Sequence, residues 1–337
     1  MNSPAHGHTI LVTGAGGAAA VTLIRALCEQ HTIIAADMDP FAVGLYLVPA
    51  GQRVLLPRGD DPGFVTALLR EARERGVDLV IPTVDVELPG VSAAADDFAE
   101  TGIRLLVESP ATLDQCLDKW ALVQACAPTV RVPVTVVLDE DVTSATLEAL
   151  GTPFIIKPRR GAGGRGFAVI DNESMLEGHP RDGSHILQEF LPGEEFSIDV
   201  LARPDGHIVA AVPRLRDKVD SGIAVAGRTV HDDGLIAFGR SVAEAIGVVG
   251  VVNVQVRRAR DGSAALLEVN PRFPGTMALT MASGINMPEL AVDAIFGDPL
   301  PDSLDFTEIA VVRHWDEVVV PIAEYALGSH ASRSPDA

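Results

Sequence analysis

Phe154-Ile155-Ile156-Lys157-Pro158-Arg159-Arg160-Gly161-Ala162-Gly163-Gly164-Arg165-Gly166-Phe167 runs from an apolar segment through a lysine into a loop of glycines and arginines. Apolar residues resume at once in Ala168-Val169-Ile170. The pattern is strand, glycine-rich turn, strand. Glycine has no Cβ, so its backbone N–H groups can come close to an anion. Lys157, Arg159, Arg160 and Arg165 concentrate positive charge in a chain whose formal net charge is −20. The segment reads as a flap that closes over phosphates. The plainer alternative is a hairpin turn with exposed basic residues.

The 337 residues suffice for two or three domains with real cores. Aromatic residues make up 4% of the chain, so the core has to be built from Val, Leu, Ile and Ala. The acidic balance argues against a nucleic-acid partner, whose phosphates would be repelled, but not against a nucleotide in a local basic pocket. Cys28, Cys116 and Cys126 are odd in number and lack metal-ligand or redox spacing, which points to buried thiols in a reducing compartment. The N-terminus lacks the pattern of a signal peptide and no apolar run is long enough to span a membrane, so a cytoplasmic location is expected.

Upstream of the flap, residues 8 to 108 alternate strand and helix patterns. Strands are expected at Thr9–Val12, Thr32–Ala36, Asp78–Ile81 and Ile103–Val107, and helices up to Cys28, over Asp61–Arg75 and over Pro89–Glu100. This order implies a parallel sheet with helices on both faces. From Ser109 two helical stretches follow, broken near Pro128, then a strand at Thr135–Leu138 and a helix at Val142–Leu150. Gly14-x-Gly16 after the first strand, with Ala19 for the third glycine and Asp37 ending the second strand, mimics a dinucleotide fingerprint. Nothing downstream resembles a dehydrogenase site, so the glycines are read as a tight turn.

Downstream of the flap, Asp261-Gly262 suits a two-residue turn between strands Val251–Arg257 and Ala264–Pro271. That turn places Gln255 opposite Glu268 and Asn253 opposite Asn270. Residues two apart share a strand face, so these four oxygen-bearing side chains converge, while Val252, Val254, Leu267 and Val269 cover the other face. One carboxylate, Glu268, among neutral oxygens suits Mg²⁺, which takes part of its shell from substrate phosphates. Arg272 at the strand end suits a phosphoryl group in transfer.

Three segments in this order, Ile156-Lys157-Pro158 with the glycine loop, Gln188-Glu189-Phe190-Leu191-Pro192-Gly193-Glu194-Glu195, and Leu267-Glu268-Val269-Asn270-Pro271-Arg272, resemble the ATP-grasp superfamily. The likeness is to the carbamoyl phosphate synthase large-subunit type and its stand-alone ligase relatives. It implies an α/β fold, with a Rossmann-like domain over 1–108, a smaller ATP-grasp lobe with the flap over 109–187, a larger lobe with the metal-binding hairpin over 188–328, and a disordered tail over 329–337. By the same resemblance Lys119 and Lys157 reach the ATP phosphates, and Gly161, Gly163, Gly164, Arg165 and Gly166 form the flap. Glu189, Phe190 and Leu191 form the adenine hinge, and Glu195 holds the ribose. Gln255, Glu268 and Asn270 hold Mg²⁺, with Mn²⁺ as an alternative. Arg272, Lys157 and Arg165 are the implied catalytic cations.

Substrate pockets are harder to read. Asp85 and Glu87 suit an amino group, and Asp85 suits a helix N-cap equally well. Arg214, Arg216, Ser221 and Gly222 belong to a segment read as a mobile basic loop suited to a carboxylate or phosphate, or as a solvated loop. The activity implied is an ATP-dependent carboxylate–amine ligase that forms an acyl phosphate, ADP and phosphate. Phosphorylation of bicarbonate or carbamate is one alternative, and a nucleotide-binding module without turnover is another. The implied partners are small-molecule acid and amine substrates, with a homodimer as an option.

Overall fold

The computed structural model of the chain describes residues 7–161, 166–220 and 222–325. Three sheets organise it. The first contains β1 (Thr9–Val12), β2 (Thr32–Asp37), β3 (Arg53–Leu55), β4 (Leu79–Ile81) and β5 (Arg104–Leu105), in the order β3-β2-β1-β4-β5. All its pairings are parallel. Alternation along β1 explains the two covered faces. Ile10 and Val12 enter one core together with Leu23, Ile24 and Leu27 of the first helix, while Leu11 enters another with Phe64, Leu68 and Phe98.

The expected helices are present with shifted ends. The stretch read as one helix over Pro89–Glu100 is two, Leu88–Ala93 and Ala95–Glu100. The break expected near Pro128 lies at Asp118. The helices are Pro110–Leu117 and Lys119–Cys126, and the Asp118 carboxylate caps the second by accepting from the Trp120 N–H at 3.0 Å. A competent N-cap outweighed the proline as the boundary signal. Of the cysteines, Cys116 and Cys126 are buried as expected, but Cys28 is exposed.

The second sheet contains β6 (Thr135–Asp139), β7 (Phe154–Pro158), β8 (Ala168–Ile170) and β9 (Asp182–Glu189), in the order β6-β9-β7-β8. The third contains β10 (Glu195–Ala202), β11 (Ile208–Asp220), β12 (Ile223–Thr229), β13 (Gly250–Arg258), β14 (Ala264–Asn270) and β15 (Ala310–Val312), in the order β14-β13-β10-β11-β12-β15. One of its faces packs on the helix Asp233–Ile246 through Ile198, Val200, Val252, Val254 and Val269. Gly239 permits that approach, because a Cβ there would lie 2.7 Å from Ile198 Cγ2. The other face packs on the first core through Leu201, Val212 and Val251, and its polar part, around Glu195, Ser197 and Gln255, carries the candidate site.

The register of the β13–β14 hairpin came out as expected, with Gln255 opposite Glu268 and Asn253 opposite Asn270, for a reason the sequence did not reveal. The turn is longer than two residues: Ala259 N–H donates to Ser263 O, and Val256 pairs with Leu266. This slips the register by one, and a bulge between Gln255 and Val256 on the partner strand's Leu267 side restores it. Leu267, expected on the apolar face, is the extra residue and lines the cavity, while Leu266 takes its place in the core.

Candidate active site

A cavity of about 1010 Å³ lies where the three sheets meet. Its walls include Lys119, Lys157, Gly161, Glu189, Leu191, Glu195, Arg216, Gly222, Gln255, Glu268, Asn270 and Arg272. The same cavity continues to the C-terminal ends of the parallel strands, where Gly14, Gly16, Asp37, Thr83 and Glu87 line it. Open parallel sheets bind ligands at that end. Most residues singled out in the sequence therefore share one space. Gly163, Gly164, Arg165 and Ser221 lie outside the described residues.

Cations gather at the end of β7 and the start of the glycine-rich segment. Asp118 pairs with Arg159 at 2.8 Å and with Arg160 at 3.4 Å, so these two cations are tied down. Lys119 starts the capped helix, and its ammonium donates to the Gly161 carbonyl at 2.8 Å. Lys157 projects from β7 into the cavity, in contact with solvent there but surrounded by protein. Burial lowers its pKa to about 8, opposed by the Glu268 carboxylate and reinforced by the Lys119 charge. A polyphosphate bound beside it favours the ammonium and raises this pKa. If Lys157 meets the phosphates of MgATP, as the sequence led us to expect, affinity for it should therefore be full below about pH 8 and fall as the pH rises past it, with protons taken up on binding near pH 8. Titration calorimetry at pH 7 and pH 9 in buffers of different ionisation heat tests this; equal affinity and no proton uptake would remove Lys157 from the phosphate site.

The polar face of the third sheet extends across four strands in rows. Glu268, Gln255, Ser197 and Arg214 are successive cross-strand neighbours, as are Asn270, Asn253 and Asp199. Glu268 was expected to be the sole carboxylate of this face. Asp199 and Glu195 share it, but Glu195 pairs with Arg216, and the Asp199 oxygens accept from Arg214, Asn253 at 2.7 Å and Thr280 at 2.6 Å. The Glu268 side chain makes no hydrogen bond among the described residues, and its charge acts on the nearby Lys157 ammonium. No three His, Cys, Asp or Glu side chains converge among the described residues. The donor set of Glu268, Gln255 and Asn270 fits an oxygen-seeking ion completed by phosphate oxygens. Ser197 and Asp199 were missed in the sequence, though the polar–apolar alternation of Glu195-Phe196-Ser197-Ile198-Asp199 marks them.

Several assignments change. Arg214 is not a substrate residue: it is 1% exposed and paired with Asp199 in the core. The segment read as a mobile loop is strand as far as Asp220: Lys218 and Val219 of β11 pair with Ala226 and Ala224 of β12, with a register shift on either side of Lys218. Arg216 does reach the cavity, but it forms ion pairs with Glu195 and contacts Gln255 at 3.3 Å. Glu195 therefore meets Arg216 rather than standing free. At the hinge, Glu189 and Leu191 line the cavity while Phe190 does not, and the Glu189 N–H donates to Val134 O at 2.8 Å. Gly166 has φ 76°, and a Cβ there would lie 2.9 Å from Pro158.

Asp85 is neither a cavity wall nor a helix cap. Its carboxylate accepts from Arg272 Nε at 2.6 Å and Nη2 at 3.0 Å. Glu87 lines the cavity, is buried, and accepts from the Thr13 hydroxyl at 2.5 Å. Burial, with Asp37 nearby, raises its pKa to about 7 despite the Thr13 hydrogen bond. Asp37 itself accepts from the Gly16 N–H at 2.8 Å and the Asp39 N–H at 2.9 Å. The acid that would hold a ribose in a dinucleotide site thus closes the glycine turn instead, in keeping with the tight-turn reading. Gly14 has φ 62° and packs under Thr83 and Val84.

Residues 182–318 match the family model described as ATP-grasp in the biosynthetic pathway with Ter operon, and residues 10–106 match the PylC-like N-terminal domain. Residues 182–318 thus carry the pattern of an ATP-grasp family. Solved structures agree on the fold. Biotin carboxylase from Campylobacter jejuni, in complex with β-γ-ATP, is 18% identical, with 87% of this chain and 72% of that one covered at TM-score 0.72. N5-carboxyaminoimidazole synthetase from Staphylococcus aureus, complexed with ADP, is 16% identical over 92% and 83% of the two chains at TM-score 0.72. L-amino acid ligase from Bacillus licheniformis is 19% identical over 86% and 75% at TM-score 0.66. No helix among the described residues is long and apolar enough to cross a membrane.

Proposed function

We propose that this ATP-grasp protein is a carboxylate–amine ligase that uses MgATP. The observation that carries this reading is the single cavity. It joins the lysines, Glu268, Gln255, Asn270 and Arg272 to the strand ends at Thr83 and Glu87, with room for a nucleotide and a second ligand side by side. Lys119 and Lys157 hold the phosphates, and Glu189 and Leu191 border the base. Gln255, Glu268 and Asn270 would hold Mg²⁺, which neutralises phosphate charge when bound. A substrate carboxylate oxygen attacks the γ-phosphorus, the bond to the β-γ bridging oxygen breaks, and ADP leaves. The amine then attacks the acyl carbon and releases phosphate. These residues position the reactants and stabilise charge, and none need act as a nucleophile.

The cations and the metal face surround the terminal phosphates in this reading, so the nucleotide product should be ADP with inorganic phosphate. The check is to incubate the protein and MgATP with a panel of carboxylic acids and amines, with bicarbonate as a separate arm, and to separate the nucleotides. Stoichiometric AMP would sink the acyl-phosphate route even if a ligated product formed. ADP that requires bicarbonate and no organic acid would favour the carbamate chemistry. The buried thiols Cys116 and Cys126 accord with a cytoplasmic, reducing location.

A further inference from the structure

The turn after β4 and the end of β14 are far apart in sequence but meet at one ion pair. The Asp85 carboxylate takes Nε and Nη2 of Arg272, and the Phe273 carbonyl takes Nη1 at 3.3 Å. Both side chains are about four-fifths buried, at 20% and 22% exposure. A guanidinium has five N–H donors in one plane. Three are engaged here, which leaves one on each Nη among the described residues. Two parallel N–H groups match two oxygens of a carboxylate or phosphate. Arg272 lines the cavity, and Asp85 lies behind it.

We propose that Asp85 is a specificity-determining residue that sets both the plane of Arg272 and the net charge this arginine presents to an anion in the cavity. The inference rests on the nucleotide reading of the cavity. Two effects of removing the Asp85 charge oppose each other. Arg272 loses its fixed plane, which an arriving phosphate can impose by its own hydrogen bonds. It also loses a counter-ion at contact distance, leaving a partly buried cation that seeks an anion. The second effect dominates, because charge acts over several ångströms in a site partly shielded from water. The wild-type pair therefore holds a transferring phosphoryl group without trapping it. Tight binding shared by reactant and product would not speed the reaction.

Titration calorimetry on the full chain tests this with two probes, MgADP and the magnesium complex of a non-hydrolysable ATP analogue. Asp85→Asn should bind the triphosphate analogue about tenfold more tightly than wild type and bind MgADP unchanged. The gain should vanish when Arg272→Met is added. Asp85→Ser, run beside it, repeats the test without an amide next to the guanidinium, and MgADP affinity reports that each variant is folded. Unchanged or weaker analogue binding by both Asp85 variants overturns the inference, as does a gain that persists with Arg272→Met. Wild-type protein that binds neither nucleotide would overturn the nucleotide reading and the inference with it, an outcome distinct from nucleotide binding without the Asp85 effect.

Discussion

Glu268→Gln is expected to lower turnover by about 10²–10³-fold while the protein still binds nucleotide. The substitution keeps the size and shape of the side chain and removes its charge. Glu268 stands opposite Gln255 on the polar face of the β13–β14 hairpin, without a hydrogen-bond partner among the described residues. Of the other carboxylates on that face, Asp199 is spent on Arg214, Asn253 and Thr280, and Glu195 is paired with Arg216. No neighbour on the face can therefore take over the charge. Lys157 also feels the loss, since Glu268 supports its ammonium. Glu189 and Leu191, which border the base in our reading, are left untouched. The checks are ADP release with an accepted acid and amine, and the magnesium dependence of ADP affinity. Wild-type behaviour in both would show that Glu268 is not a metal ligand.

Asp199→Ala should destabilise the fold by about 3–5 kcal/mol, the range for breaking a buried pair by removing one partner. Asp199 is 0% and Arg214 1% exposed. Without the carboxylate, Arg214 is a charge left in the core with Thr276 as its remaining partner, and Arg214 Nε already lacks one. Asn253 and Thr280 lose their acceptor at the same time. Urea unfolding monitored by circular dichroism gives the difference directly, provided the slope with denaturant is unchanged. A loss below about 1 kcal/mol, typical of an exposed pair, would mean that water reaches Arg214 and that the pair is not buried. The double variant Asp199→Ala with Arg214→Met should recover part of the loss, because it removes the unpaired charge.

The sequence by itself determined the order of elements, the parallel sheet and the strands on either side of the glycine-rich loop. These are local properties: apolar runs bounded by glycine, proline or a capping residue, and alternation of side chains along a strand. The motifs that carry Lys157, Glu268, Asn270 and Arg272 were likewise legible, and these residues do share a cavity. Partner choice was not legible. Arg214 and Arg216 are two residues apart on one strand, yet one is a core ion pair and the other faces the cavity. What separates them is the neighbouring strand, which offers Asp199 to the first and Glu195 to the second. Asp85 and Arg272 are 187 residues apart, and no local pattern could pair them. The register of the hairpin shows the same limit, since a longer turn and a bulge compensate and the sequence sum sees neither. Charges are distributed by the sequence, but tertiary packing fixes which of them are neutralised in the core and which are left to meet a substrate. That follows because desolvation and ion pairing depend on distance in space rather than along the chain.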